Sequence, residues 1–171
     1  EAGDNNVFND KHRNPEFVLR DQYRHPLETL KFFGVEPGMT VVEIWPGKGW
    51  YTEVLAPYLG GGVLYAAHFP TDVGVPYYDD NRALFLEKLA RHPEVYSRVK
   101  MAAFDPKRNQ LTVPAGNADA VLTFRNVHNW LRSESEMAAF QLFYQALKPG
   151  GVLGVVEHRA PKGTDWETMK V

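Results

Sequence analysis

Apolar residues along this chain alternate between short unbroken runs and longer stretches in which they recur every three or four positions. The first unbroken run, Thr40-Val41-Val42-Glu43-Ile44-Trp45, follows a Pro37-Gly38 turn and reads as a buried strand. Beyond it the spacing predicts a helix over 49–59, a strand over 62–67, a helix over 80–91 and a strand over 99–104. A loop holding Pro106 and Pro114 leads to a strand over 120–124, a helix over 133–147 and a strand over 152–157. Upstream, a helical pattern from Pro15 carries Phe17, Val18 and Tyr23 and breaks before Pro26. A second short helix carries Leu27, Leu30 and Phe33, with Gly34 as its C-terminal cap. Residues 1–14 are polar and expected to fray.

Strands alternating with amphipathic helices predict an α/β fold, an open doubly wound parallel sheet with helices on both faces. The expected division is an N-terminal helical segment over 1–34 and an α/β core over 35–171, together one domain. Few residues follow the last strand, so the sheet is expected to end on a nearly uncovered edge and to lack its C-terminal strands.

Composition narrows the function classes. A hydrophobic share of 44% with 23% charged residues fits a globular domain, and a net charge of −2 gives no basic surface for polyanions. Nucleic acid is therefore not an expected partner. No apolar run approaches the roughly 20 residues of a membrane helix, so no membrane insertion is expected. The absence of cysteine removes disulfides, thiolate metal sites and cysteine nucleophiles together.

In a doubly wound sheet, ligands bind at the carboxyl ends of the strands, where strand order reverses. The loop after the first strand, Trp45-Pro46-Gly47-Lys48-Gly49-Trp50, opens into a helix. Its glycines allow close backbone approach, and the helix start offers free N–H groups. Lys48 lacks the following Ser or Thr of a phosphate-binding loop, so a nucleoside triphosphate is not expected.

Three segments resemble the class I S-adenosylmethionine (SAM) methyltransferases, whose core is a Rossmann-like sheet. Val41-Val42-Glu43-Ile44 followed by Gly47 and Gly49 is similar to their first motif. Asp119 to Phe124 is similar to their fourth strand, and Leu147-Lys148-Pro149-Gly150-Gly151-Val152-Leu153 to the entry of their fifth. More narrowly, Arg24-His25-Pro26 through Trp45-Pro46-Gly47 resembles a bacterial group of predicted methyltransferases with secretory leaders. The resemblance implies SAM as cofactor, bound by Glu43, Trp45, Gly47, Gly49, His68 and Asp105. It places Arg125, Asn126 and His128 beside the sulfonium and a small-molecule acceptor, as the candidate catalytic residues. It implies a periplasmic location, with the cytoplasm as the alternative.

Two positions depart from the family pattern: Trp45 stands where the loop has its first glycine, and His68 where a carboxylate meets the ribose hydroxyls. An imidazole offers one acceptor where a carboxylate offers several. These departures keep open a second reading, a non-catalytic ligand-binding protein on the same scaffold. A nicotinamide-dependent oxidoreductase is disfavoured, because the loop lacks Gly-x-Gly-x-x-Gly and no acid ends the second strand.

For His128 a pocket-lining role and a structural hydrogen bond stand as equal readings, while His158 reads as a solvated strand end. His68, His128 and His158 all follow strands, but His68 starts roughly 10 Å from His128. A site from His128, His158 and Glu157 is geometrically easier, yet no metal is expected. Trp45, Trp50, Tyr51 and Trp130 are expected around the cleft mouth, with Trp50 and Tyr51 covering the core. Arg20, Asp21, Arg24 and His25 read as a surface ion-pair cluster.

Overall fold

The computed structural model describes residues 11–169. Three short helices, α1 (Pro15–Val18), α2 (Asp21–Arg24) and α3 (Pro26–Phe32), lead into β1 (Thr40–Ile44). Then come α4 (Thr52–Leu59), β2 (Val63–His68), α5 (Pro76–Arg91), α6 (Pro93–Tyr96) and β3 (Val99–Asp105). A 3-10 turn (Pro106–Arg108) precedes the two-residue β4 (Gln110–Leu111). The remainder is β5 (Ala118–Phe124), α7 (Val127–Arg132), α8 (Glu136–Ala146), β6 (Leu147–Val156) and α9 (Trp166–Met169).

The sheet runs β4-β3-β2-β1-β5-β6, parallel throughout except for β4. The chain steps outward from β1 to β3 and then returns to lay β5 against the other side of β1. Strand order therefore reverses between β1 and β5, the switch point of an open α/β sheet. Among the described residues no strand pairs with the outer edge of β6.

Alternation along β1 sets the two layers. Val42 and Ile44 point to one face, packing with Trp130 of α7 and with Leu142 and Phe143 of α8. Val41 points to the other, with Leu30 of α3 and Val54, Leu55 and Leu59 of α4. Glu43 shares the parity of Val41, which carries its carboxylate to the α4 side. The segment before β1 is thus built into the core through Leu30 and Val35.

Several boundaries differ from the sequence expectation. Within the segment expected to fray, His12 and Arg13 are buried, His12 Nε2 lying 2.8 Å from the Glu53 carbonyl oxygen. Residues 1–10 lie outside the described part. The helix expected from 80 starts at Pro76, whose fixed φ suits a first helical position. The helix expected over 133–147 is α8, over Glu136–Ala146, and a further short helix, α7, precedes it where a loop was expected. Between them Ser133 and Ser135 share a hydrogen bond of 2.7 Å, and Glu134 takes a positive φ of 52°.

The Leu147-Lys148-Pro149-Gly150-Gly151 turn, expected before a strand starting at 152, forms the first half of β6, and it has a packing reason. A Cβ on Gly151 would meet the Ala118 and Lys148 carbonyl oxygens at 3.0 Å, and Leu147 at 2.9 Å. Lys148 pairs with Asp119, which also accepts from the Thr40 N–H at 2.7 Å, tying the starts of β1 and β5 to the turn. These contacts, the lysine first, hold the Asp119 carboxyl below its ordinary range.

Candidate functional site

Two cavities lie at the carboxyl edge of the sheet, and five of the residues named from sequence stand in their walls. The larger, about 610 Å³, spans the ends of β1, β2 and β3 and the start of α7, with Trp45, Gly47, Asp105 and Asn126 in its wall. The smaller, about 330 Å³, lies between the N-terminal helices and the ends of β5 and β6, with Arg125 in its wall.

Trp45 is the first residue after β1 and adopts φ 45°, a region that disfavours bulky side chains. The backbone there takes a glycine-like conformation without a glycine. A non-glycine residue in this region costs about 1–2 kcal/mol, so the surroundings must over-determine it. They do. The Trp45 indole N–H donates to the Phe104 carbonyl at 3.0 Å, and the ring packs on Phe69, Phe104 and Trp130 at centroid distances of 4.9, 5.4 and 5.7 Å. The indole forms part of the cavity wall and leaves the cavity open. Arg125, the first residue after β5, shows the same left-handed φ of 62°. Both strands flanking the switch point thus end on a strained residue.

Three of the named cofactor residues stand behind the wall. Gly49, at φ 83°, faces α5, where an added Cβ would meet the Phe85 ring at 3.1 Å. Glu43 is 2% exposed and accepts from the Thr52 hydroxyl at 2.6 Å, bridging the end of β1 to the start of α4. Burial pushes the Glu43 carboxyl up to about 7, against the smaller opposing pull of Thr52 and Lys88. His68 is fully buried; its Nδ1 accepts from the Phe69 N–H at 2.9 Å and its Nε2 lies 3.0 Å from the Gly47 carbonyl oxygen. An Nδ1 that accepts fixes the proton on Nε2, so the ring donates to Gly47, and burial holds it neutral. Both nitrogens are engaged. His68 fastens the glycine loop to the end of β2 and has none left for a diol.

Asp105 closes β3 and caps the 3-10 turn, accepting from the Lys107 and Arg108 N–H groups at 3.0 and 3.3 Å. Asn126 is buried and donates to the Ile44 carbonyl and the Thr123 hydroxyl, both at 3.1 Å, joining β1 to β5 across the switch point.

His128 lies in the first turn of α7, where the sequence expected only a loop. Its Nδ1 is 3.0 Å from Glu157 Oε2, and His158 Nδ1 is 3.1 Å from Glu157 Oε1. Partial burial raises the Glu157 carboxyl, but the His158 N–H and both bonds from His128 together outweigh it and hold the group below its ordinary value. His68 does not join this cluster.

The expected aromatic group around the cleft is split by the sheet. Trp45 and Trp130 lie on one face; Trp50 and Tyr51 pack on the other, Tyr51 stacked on Phe124 at 3.5 Å. Arg24, expected in a surface ion-pair cluster, lies over the Trp50 ring at 4.6 Å and reaches the smaller cavity with Tyr23 and Tyr51. Sequence reasoning also missed Phe69 and Tyr78, stacked at 3.9 Å in the larger cavity. The Tyr77-Tyr78 pair directly after Pro76 was the available signal, since Pro76 marks a helix start.

No protein-family model matches the chain, and no curated protein matches it at a significant level. Solved structures do. A SAM-dependent methyltransferase from Aquifex aeolicus superposes with a TM-score of 0.69 at 20% identity, covering 92% of this chain and 76% of that one. The cyclase SpnF gives 0.61 at 20% identity, covering 85% of this chain and 49% of that one. A SAM-dependent O-methyltransferase from Thermotoga maritima gives 0.55 at 18% identity, covering 76% and 42%. The chain therefore spans three quarters of the first and less than half of the other two. A cyclase among them shows that the scaffold does not fix the reaction. The fold of this chain is that of the class I SAM-dependent methyltransferases.

Proposed function

We propose that the larger cavity binds the adenosyl part of SAM and that the chain is the core of a methyltransferase acting on a small molecule. The observation that carries this reading is a cavity of about 610 Å³ at the carboxyl edge of the strands, where strand order reverses, with Gly47 in its wall. Its volume suits a nucleoside-sized ligand. The residues fit an adenosyl group on two counts: Trp45 and Tyr78 offer partly exposed aromatic surface to a purine, and the Gly47 backbone is open to approach. On a third count they differ from the usual pattern. The diol finds no carboxylate at the end of β2, so affinity rests on aromatic and backbone contacts.

Bound SAM supplies an electrophilic methyl group on a sulfonium. The protein's part is positioning, which in a displacement reaction supplies much of the acceleration. In this reading Trp45, Gly47, Asp105 and Asn126 face the cofactor, while Glu43, Gly49 and His68 act from behind by fixing the loop. Arg125 belongs to the smaller cavity, which we assign to the acceptor, with His128 beside it as the base where an acceptor must lose a proton. The secretory-leader group that residues 24–47 resemble supports a periplasmic location. Among the described residues no helix is long and apolar enough to cross a membrane.

Calorimetric titration with S-adenosylhomocysteine tests the reading. Saturable binding with one site per chain is the expected result. No heat at millimolar ligand removes the cofactor assignment and leaves a binding protein for another compound.

A further inference from the structure

The cluster of His128, Glu157 and His158 has a geometry that a proton-transfer role alone does not require. β5 and β6 run parallel with Phe124 opposite Val156, so the chain leaves both strands at one level. That register sets the first turn of α7 beside residues 157 and 158. Each of the three residues offers one ligand atom, and these atoms all lie within 4.8 Å of one another. The two imidazole-to-carboxylate separations are 3.0 and 3.1 Å. Ligands held at 2.0–2.2 Å around a tetrahedral ion stand roughly 3.3 Å apart along each edge, so the exposed side chains, whose imidazoles meet different oxygens of Glu157, close on one ion by drawing in up to about 1.5 Å.

We propose that His128, Glu157 and His158 form a site for a divalent transition-metal ion of the zinc type, open toward the smaller cavity. Two imidazoles and a carboxylate are a donor set that such ions take, and three protein ligands leave a coordination position for water or substrate. The side chains are 37%, 21% and 61% exposed, so an ion reaches them without the core opening. Glu157 and His158 also line the smaller cavity, with the guanidinium groups of Arg24 and Arg125. An open metal position beside two guanidinium groups recognises an acidic oxygen, and the ligand class it fits is a small carboxylate or phosphate compound. This inference stands apart from SAM binding, since the ion is detected directly, but it replaces the base role given to His128, whose one acceptor nitrogen the ion would occupy.

The untagged full chain, freed of metal with a chelator, is titrated with ZnCl2 by calorimetry. One ion per chain with a micromolar or tighter Kd is expected, weakened at least tenfold in both Glu157→Gln and His128→Ala. Ni2+ added to the parent protein gives a second readout that no variant's folding affects. The ring signals of His128 and His158 should broaden before those of His12 and His68. Absence of Zn2+ binding, unchanged affinity in both variants, or uniform broadening of the histidines overturns the site. S-adenosylhomocysteine binding without Zn2+ binding would remove this proposal and leave the cofactor reading intact, and the converse holds equally.

Discussion

Replacing Glu53 with Ala is expected to cost about 3–5 kcal/mol of stability, the scale for stripping one partner from a buried ion pair. Glu53 lies on α4 and is fully buried. Its Oε1 is paired with Lys88 of α5, its Oε2 lies 3.6 Å from Arg13 Nε, and the Asn14 N–H donates to both oxygens at 3.3 and 3.2 Å. Burial pulls the Lys88 ammonium below its ordinary value, and Glu53 opposes that pull. Alanine leaves Lys88 without its direct partner and with only the more distant Glu43 to oppose its burial, whereas Arg13 keeps its 2.5 Å contact with Asp21. At roughly 2–4 °C per kcal/mol for a domain of this size, Tm should fall by about 6–20 °C. The loss should be smaller in a Lys88→Met background, because the stranded ammonium is then absent. A Tm change under about 2 °C would show that the ion pair contributes nothing net.

The second large effect is a loss of stability with rising pH at Glu43. Burial raises this carboxyl from 4.5 to about 7 in the folded state, so the folded protein holds the proton more tightly than the unfolded chain. Stability from this group is fully present below pH 4.5, declines as pH rises to about 7, and stays lost above. The span corresponds to about 3 kcal/mol. Glu43→Gln is neutral at every pH and keeps an oxygen for the Thr52 hydroxyl to donate to. It should therefore exceed the parent in stability by about 3 kcal/mol at pH 8 and match it near pH 4.5. Urea unfolding at the two pH values measures the difference, and other titrating groups cancel in the comparison. A constant difference between parent and variant would mean that Glu43 ionises freely in the folded protein.

The order of strands and helices was legible because each parallel strand is a short apolar run flanked by helices with a three-to-four spacing. The Lys148-Pro149-Gly150-Gly151 turn was legible too, and the crowding at Gly151 explains it. The site was harder to read because sequence tells which residues gather at the strand ends and not which face each one takes. Trp45 and Trp50 are five positions apart, yet the left-handed turn at Trp45 and the start of α4 at Thr52 send them to opposite sides of the sheet. His68 follows two alanines at a strand end that is buried on both faces, so it is consumed by backbone bonds instead of meeting a ligand. Polar residues such as Arg13 and Asn14 looked solvated because their partner, Glu53, lies some forty positions away. Long-range pairing of charges leaves no periodic trace.

The central claim is that an adenosyl compound settles on the Trp45 side of the sheet. Proton–nitrogen NMR of the indole N–H groups reads this directly, since Trp45 and Trp50 report on opposite faces and donate to the Phe104 and Phe17 carbonyls respectively. On adding S-adenosylhomocysteine, the Trp45 signal, assigned through Trp45→Phe, should move in a saturable way while the Trp50 signal stays in place. Movement of Trp50 alone, or of neither, would contradict the account.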